Sequence, residues 1–584
     1  MKFALPPGVK VLKGYQRTWL RSDIVAGIIL TTLLVPQGMA YAELAGLPSI
    51  TGLYTSVLCL LGYAAFGPSR VLVLGPDSSL GPMIAATIIP IVGSNGDPAR
   101  AVELASMLAV MVGAIMIIAG VFKLGFVADL LSKPTKLGYM NGLALTILIG
   151  QLPKLFGFST DASGLLGEIG AFIHGLYSGE FVGAAVIIGI SSLALIFLLG
   201  KFMPKIPAVL VAVVGATILS SVLHLSQHGV SVVGVLPKGF PPFTLPHISD
   251  FPLLLAGAAS IAVVALTDTI SVASAFAGKK GKEIDGNGEM VGVGVASVAA
   301  GFFQGFPVST SGSRTAVAEQ SGAKTQLTGI VGAVLIVLML VFIPGLLRNL
   351  PNPTLAAVVI AASMSLADIP ASMKLYKQRR SEFVTTLVAF LGVALLGVLP
   401  GIGIAIALSI FNVFRRLWWP YQTTLGKVKN YPGYHDVQQY PDGELLPGLV
   451  IYRFDAPLIF ANARTFRDQI KLVAASRPKP KYILIAAEPI TDIDATAADM
   501  LRDLDKSMNA KNISLEFAEL KHRVHAKFEK FGLIGDLEPH HFYPTLDAAI
   551  ADYQKKTKTK WQSPAMKKSS AKKPASKKKK SSRK

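Results

Sequence analysis

The sequence predicts a polytopic α-helical membrane protein of about 14 spans, two sevens in inverted topology, followed by a soluble α/β domain. Three observations lead there. Only 16% of the 584 residues are charged and 51% are hydrophobic, whereas soluble domains carry about 25% charged residues; the mean hydropathy is +0.52. Apolar stretches recur from about residue 23 to 417 and then give way to amphipathic sequence. The third and tenth of them open alike, as a β-like run leading into a half-helix.

The candidate spans are 23–42, 52–66, 76–93, 102–121, 137–153, 181–200, 207–223, 252–277, 289–305, 309–319, 326–346, 352–368, 382–398 and 400–414. Several fall short of the roughly 20 residues a helix needs to cross alone. Short, Gly/Pro-interrupted elements are the informative ones, because broken helices build transporter sites near the midplane. With both termini inside, inner loops hold 14 Lys/Arg, Lys133 and Lys136 among them, and outer loops hold 4. That is the positive-inside pattern. The basic segment 1–22 precedes an ordinary span and does not read as a cleaved signal peptide.

After span 14, residues 418–446 read as a linker. Residues 447–554 alternate β-like runs (449–454, 482–486, 514–518) with amphipathic helical stretches (463–474, 495–508, 523–531, 546–553), a soluble α/β domain. Residues 555–584 hold 14 Lys/Arg and no acid, leaving +7 of the net +21 to the rest. This segment is too charged to fold. It reads as a disordered tail touching anionic lipid. Nucleic acid is not expected, since no folded basic module accompanies it.

The chemistry concentrates around Arg314, in F-P-V-S-T-S-G-S-R-T-A. A fixed charge at membrane depth costs roughly 2.5–3.5 kcal/mol on insertion scales. Ser309, Thr310, Ser311, Ser313 and Thr315 surround it with hydroxyls, a set suited to replacing the water around an anion. Arginine favours two-point recognition of oxyanions. The opposite half is expected at Gly75-Pro76, in R-V-L-V-L-G-P-D, where a second half-helix N-terminus offers free N–H groups. Asp268, with Thr267, Thr269 and Ser271 nearby, reads as a salt-bridge partner of Arg314, a proton carrier or a Na⁺ ligand. Asp77 is a second acid, repelling an anion unless protonated or paired, or else capping the half-helix. In span one, Pro36 and Gly38 are expected to break the helix, and Gln37 and Tyr41 share a face. Cys59 reads as packing. Histidines show no metal-ligand spacing, and no cofactor motif, nucleophile–base pair or phosphate loop appears, so an enzyme is not expected.

These motifs resemble the SulP anion permeases. Leu34–Tyr54 (L-V-P-Q-G-M-A-Y-A-x-L-A-G-L-P-x-x-x-G-L-Y) is similar to that family's signature in spans one and two, and Gly301–Gly329 to its spans ten and eleven. Arg453–Ala463 and Ile490–Leu501 are similar to its C-terminal STAS domain. The resemblance implies a uracil-permease-like fold. A core of spans 1–4 and 8–11 moves as an elevator against a gate of spans 5–7 and 12–14, in a homodimer with cytoplasmic STAS domains. It places Gln37, Tyr41, Ser313 and Arg314 at the substrate site and Asp268 at the family's acidic position in span eight. Gly75, Pro76 and Ser311 complete the expected substrate set; Asp268, Asp77 and Thr269 form the coupling-ion set. Asp77 departs from the pattern. So does Asp494-Ala495-Thr496-Ala497, where a D-S-S-G phosphoacceptor motif is usual; only Thr496 remains as an acceptor.

The function expected is secondary active transport of a small oxyanion (sulfate foremost, then bicarbonate or a dicarboxylate) with H⁺ or Na⁺, in the plasma or inner membrane. Anion exchange, a nucleobase permease of the same fold and a STAS-linked sensor are the alternatives.

Overall fold

The computed structural model describes residues 6–562 apart from 94–95, 126–130, 161, 163, 204–205, 279–283 and 538–540. Most of the Lys-rich tail, residues 563–584, lies outside the described residues. Two compact units divide at residues 410 and 411.

The first unit is helical. After α1 (Pro7–Lys13) come α2 (Leu20–Leu44), α3 (Ser49–Phe66), β1 (Leu74–Gly75) with α4 (Gly81–Val92), α5 (Pro98–Val121), α6 (Lys133–Phe156), α7 (Leu165–Tyr177), α8 (Gly183–Phe202) and α9 (Ala208–Val222). The second half follows with α10 (Phe251–Gly278), α11 (Gly286–Gly301), β2 (Ser309–Thr310) with α12 (Gly312–Gln320), and α13 (Leu327–Phe342). It ends with α14 (Asn352–Leu366), α15 (Ile369–Gln378), α16 (Arg380–Leu396) and α17 (Val398–Trp418). The order of the first half recurs in the second as an inverted repeat. Its strand-plus-half-helix stands third each time, and β1 pairs antiparallel with β2. The short helices α7 and α15, which the candidate spans leave out, fall at equivalent places. Seven helical stretches among the described residues are long and apolar enough to cross a membrane.

Packing sorts the helices into two bundles. In one, α11 lies on α5 and α3, and α13 on α2 and α3; in the other, α14 and α16 lie on α6, and α8 on α14 and α9. Glycine permits the closest approach in the first bundle. A Cβ at Gly52 would stand 1.9 Å from the Gly38 carbonyl oxygen, so α2 and α3 cross backbone to backbone there. Pro36 does not break α2: the helix runs unbroken from Leu20 to Leu44, held on both sides by this packing.

Fully buried Asp23 ties α2 to α13. Its carboxylate accepts from Lys324 N at 2.6 Å, Thr325 N at 3.1 Å, Thr325 Oγ1 at 2.8 Å and Thr328 Oγ1 at 3.2 Å. An acid from one helix thus satisfies the free N–H groups ahead of another, where the helix dipole favours negative charge. Asp23→Ala strands these donors, and we expect a loss of roughly 3 kcal/mol, read as a lower melting temperature of the detergent-solubilised protein.

The second unit is built on a six-stranded sheet ordered β4-β3-β5-β6-β7-β8. The strands are β3 (Gln422–Lys427), β4 (Tyr434–Asp436), β5 (Leu449–Phe454), β6 (Tyr482–Ala486), β7 (Ser514–Ala518) and β8 (Phe542–Tyr543). From β5 to β8 the strands are parallel; β3 is antiparallel to both neighbours. Helices α18 (Ala463–Ala474), α19 (Ala495–Asn509), α20 (His522–Lys530), α21 (Leu533–Asp536) and α22 (Leu546–Thr557) complete it. Alternate side chains of each strand point to opposite faces, so Phe454, Ile485 and Phe517 join one core and Ile451, Leu484 and Ala518 another. Residues 418–446 are therefore more than a linker, since β3 and β4 lie within them. The far end also extends: Gln562 bridges to Leu445 and Trp561 stacks on Tyr434. The first residues of the expected tail thus belong to the folded unit.

Glu516, in β7, is buried between the sheet and α22. Burial pushes its carboxyl up to about 7; nearby Lys556 opposes the shift and Asp552 adds to it. The folded domain therefore binds a proton that the unfolded chain, at about 4.3, has released. Its contribution to stability is full below that value and is lost as pH rises through 7. Melting of residues 411–562 alone should show stability falling between those pH values, and Glu516→Gln should flatten that slope.

Candidate functional site

Extended backbone places the two half-helices. Leu74 pairs with Thr310 and Gly75 with Ser309, and Ser311 N donates to the Val73 carbonyl at 3.0 Å. This two-residue ladder lies deep in the protein, with Leu74, Ser309 and Thr310 all buried. On one side α12 begins directly, with Ser311 as its N-cap. On the other, α4 begins at Gly81 and not at Gly75-Pro76, because a turn intervenes in which Leu80 N and Gly81 N donate to the Asp77 carbonyl.

Arg314 is the largest fully buried side chain, 1% exposed. Its Nη2 donates to the Pro76 carbonyl at 2.6 Å and lies 4.0 Å from Asp77 Oδ1. Nε and Nη1 have no hydrogen-bond partner among the described residues, nor do the hydroxyls of Ser309, Thr310 and Thr269. Buried polar groups are rarely left this way. The Nε and Nη1 donors face different sides of the guanidinium and leave charge-assisted hydrogen bonds open to an oxyanion. Gly75 makes room for Nη1, since a Cβ there would stand 2.6 Å from it.

Asp77 Oδ2 accepts from Ser79 N at 3.0 Å and Ser79 Oγ at 2.6 Å, so this acid pins the turn before α4. The Ser79 hydroxyl also lies 3.1 Å from Asp268 Oδ2, and its one proton serves either carboxylate. Asp268 is not the partner of Arg314. Its Oδ1 is paired with Lys136 Nζ at 2.8 Å, and the same ammonium donates to Ser271 Oγ at 3.1 Å. The charge count changes accordingly. Sequence reading set two acids against one arginine; with Lys136 the four groups sum to zero. Sequence reading counts Lys136 among the inner-loop cations, but its place in the first turn of α6 brings it to α10.

The other expected residues divide. Tyr41 is buried in α2 with its hydroxyl toward Ser78, and Gln37 is half-buried one turn earlier. Ser311 is buried and lies 3.2 Å from Ser313 Oγ, whereas Ser313 is exposed. Thr269 is fully buried, but its hydroxyl does not join the Asp268 pair. Thr496 is exposed in the first turn of α19, whose N-terminus Asp494 caps through Ala497 N at 2.8 Å. A further membrane acid escaped sequence reading: Glu289 of α11, which accepts from Tyr63 Oη at 2.5 Å and from Ser69 Oγ.

Comparison with known proteins follows this geometry. The profile of the sulfate permease family matches residues 20–389, and that of the STAS domain matches residues 440–549. The chain is 37% identical over 553 residues to a probable sulfate transporter of Mycobacterium tuberculosis (strain CDC 1551 / Oshkosh), covering 94% of this chain and 98% of that one. It is 31% identical over 541 residues to sulfate transporter 1.3 of Arabidopsis thaliana, covering 88% and 81%. Among solved structures, its fold is similar to the murine Solute Carrier 26 family member A9 anion transporter in the inward-facing state, with TM-score 0.87 and 23% identity over 95% of this chain and 94% of that one. It is also similar to the transmembrane domain of a cyanobacterium bicarbonate transporter, with TM-score 0.57 and 21% identity over 67% and 98%.

Proposed function

Since the chain belongs to the sulfate permease family and carries a STAS domain over residues 440–549, we propose that it carries sulfate across a cell membrane by secondary active transport. The observation that carries this reading is a fully buried arginine, beside the N-cap of α12, with two guanidinium nitrogens, Nε and Nη1, left without partners among the described residues. The curated relatives named above, one 37% identical along almost its whole length, are sulfate transporters by name. Gly75 and Pro76 position the guanidinium, Ser311 and Ser313 add hydroxyls, and Gln37 and Tyr41 of α2 wall the site.

Coupling to H⁺ or Na⁺ follows from charge. Arg314, Lys136, Asp77 and Asp268 balance one another, so a divalent anion adds two uncompensated charges to a desolvated site. A cation moving with it lowers that cost, and Asp268, with Asp77 linked through Ser79, is the carboxylate to receive it; Thr269 stands next to it in sequence. The two bundles are the moving parts of an elevator, α2–α5 and α10–α13 forming the core and α6–α9 and α14–α17 the gate. We take both termini to be cytoplasmic, the reading that the positive-inside count supports, in a plasma or inner membrane. The working unit is a homodimer, with the basic tail on anionic lipid and Thr496 as the regulatory hydroxyl.

Uptake of labelled sulfate, bicarbonate and fumarate by proteoliposomes under imposed proton and sodium gradients tests this. Saturable sulfate uptake driven by one gradient is expected. Sulfate uptake no faster than in protein-free liposomes, under either gradient, contradicts the reading.

A further inference from the structure

The ion pair between Lys136 and Asp268 joins helices of different bundles. α6 packs along α14, α16 and α8 of its own bundle, yet its first turn sends Lys136 across to Asp268 and Ser271 on α10. One turn further on, Tyr139 is fully buried and reaches Met83 of α4 at 3.4 Å. Both side chains therefore lean on core elements that carry the site. The other hydroxyl on Asp268 belongs to Ser79, in the core itself. When the core slides against the gate, Ser79 travels with Asp268 and Lys136 does not.

We propose that Lys136 is a latch. Its ammonium holds the gate to the core in this conformation, and the sliding step breaks the pair. Lys136 also fills the place of a coupling cation while the latch is shut. Once it withdraws, Asp268 keeps only a hydroxyl, and an unpaired carboxylate in an apolar helix calls for another cation. The carboxylate is thus handed from a tethered cation to a free one as the bundles part. This inference rests on the two-bundle elevator reading above.

Spin labels at Lys133→Cys on α6 and Ser274→Cys on α10, both exposed positions, report the separation by electron–electron distance measurement. Native Cys59 is buried and escapes labelling. Lys136→Met should shift the ratio of short to long distances toward long by about fivefold, equivalent to roughly 1 kcal/mol. Lys136→Arg should preserve the wild-type distribution, which also shows that the position tolerates change. Asp268→Asn should shift it as far as Lys136→Met, and combining the two should add nothing, since both remove one interaction. An unshifted distribution in Lys136→Met or Asp268→Asn, or additive shifts, overturns the latch. The distances are read without sulfate, so failure of the uptake experiment leaves this test intact. Normal uptake with unshifted distances overturns the latch alone.

Discussion

Replacing Arg314 with alanine should abolish saturable sulfate uptake while leaving a folded protein. The guanidinium is 1% exposed, holds the Pro76 carbonyl through one nitrogen and offers two others to a ligand. Losing a desolvated charged contact of this kind costs about 2–5 kcal/mol, a loss of roughly 30-fold or more. Lysine should not rescue it. An ammonium is a point donor and cannot hold Pro76 through one nitrogen while presenting two others in a fixed plane. The initial rate of labelled-sulfate uptake, against protein quantity and size-exclusion profile, checks both variants. An Arg314→Ala variant that transports at the wild-type rate removes the site from this position.

Gly75→Val should be nearly as damaging, although it alters no charge. The added Cβ stands 2.6 Å from Arg314 Nη1 and 3.2 Å from its Cζ, closer than van der Waals contact allows. A long side chain normally yields to such a clash, but this one is fully buried and tied to Pro76, so moving it breaks the bond that aims it. We expect Gly75→Ala to raise the half-saturating sulfate concentration by about tenfold, equivalent to 1.4 kcal/mol, and Gly75→Val to do more. Dose–response uptake curves separate the two. A normal curve for Gly75→Val means that the guanidinium has room the structure does not show.

Most of the architecture was legible because hydropathy and period are local signals. The spans around α2, α5 and α10 read directly from apolar runs, and β5, β6 and β7 from short, largely apolar runs bounded by polar turns. Apart from the short apolar α7, the elements that escaped lack such a signal. α15 carries Lys374 and Lys377 within ten residues, too polar to read as a span. β3, with the sequence Q-T-T-L-G-K, gains its place from pairing with β5 and not from its own composition. The start of α4 was misplaced because Gly75-Pro76 looks like a helix opening, while the turn pinned by Asp77 and Ser79 delays it.

The site shows the same division. Arg314 announced itself as a charge among hydroxyls at membrane depth, and Gly75 as a break in a β-like run. Lys136 announced nothing. A lysine at the first turn of a helix is what the positive-inside pattern expects of a loop, and its reach to Asp268 depends on how two bundles meet. The error matters, since Asp268 and Asp77 set against Arg314 alone leave the site one positive charge short, and Lys136 supplies it. With it the empty site is balanced, and the argument for a co-transported cation passes to the charge that sulfate itself brings.

Equilibrium binding of labelled sulfate to the purified protein tests the central claim most directly, because it needs neither a gradient nor a moving elevator. Wild type should bind saturably, and Arg314→Ala should show no saturable binding over the same range. Wild-type affinity in Arg314→Ala would contradict the account and place the anion elsewhere in the molecule.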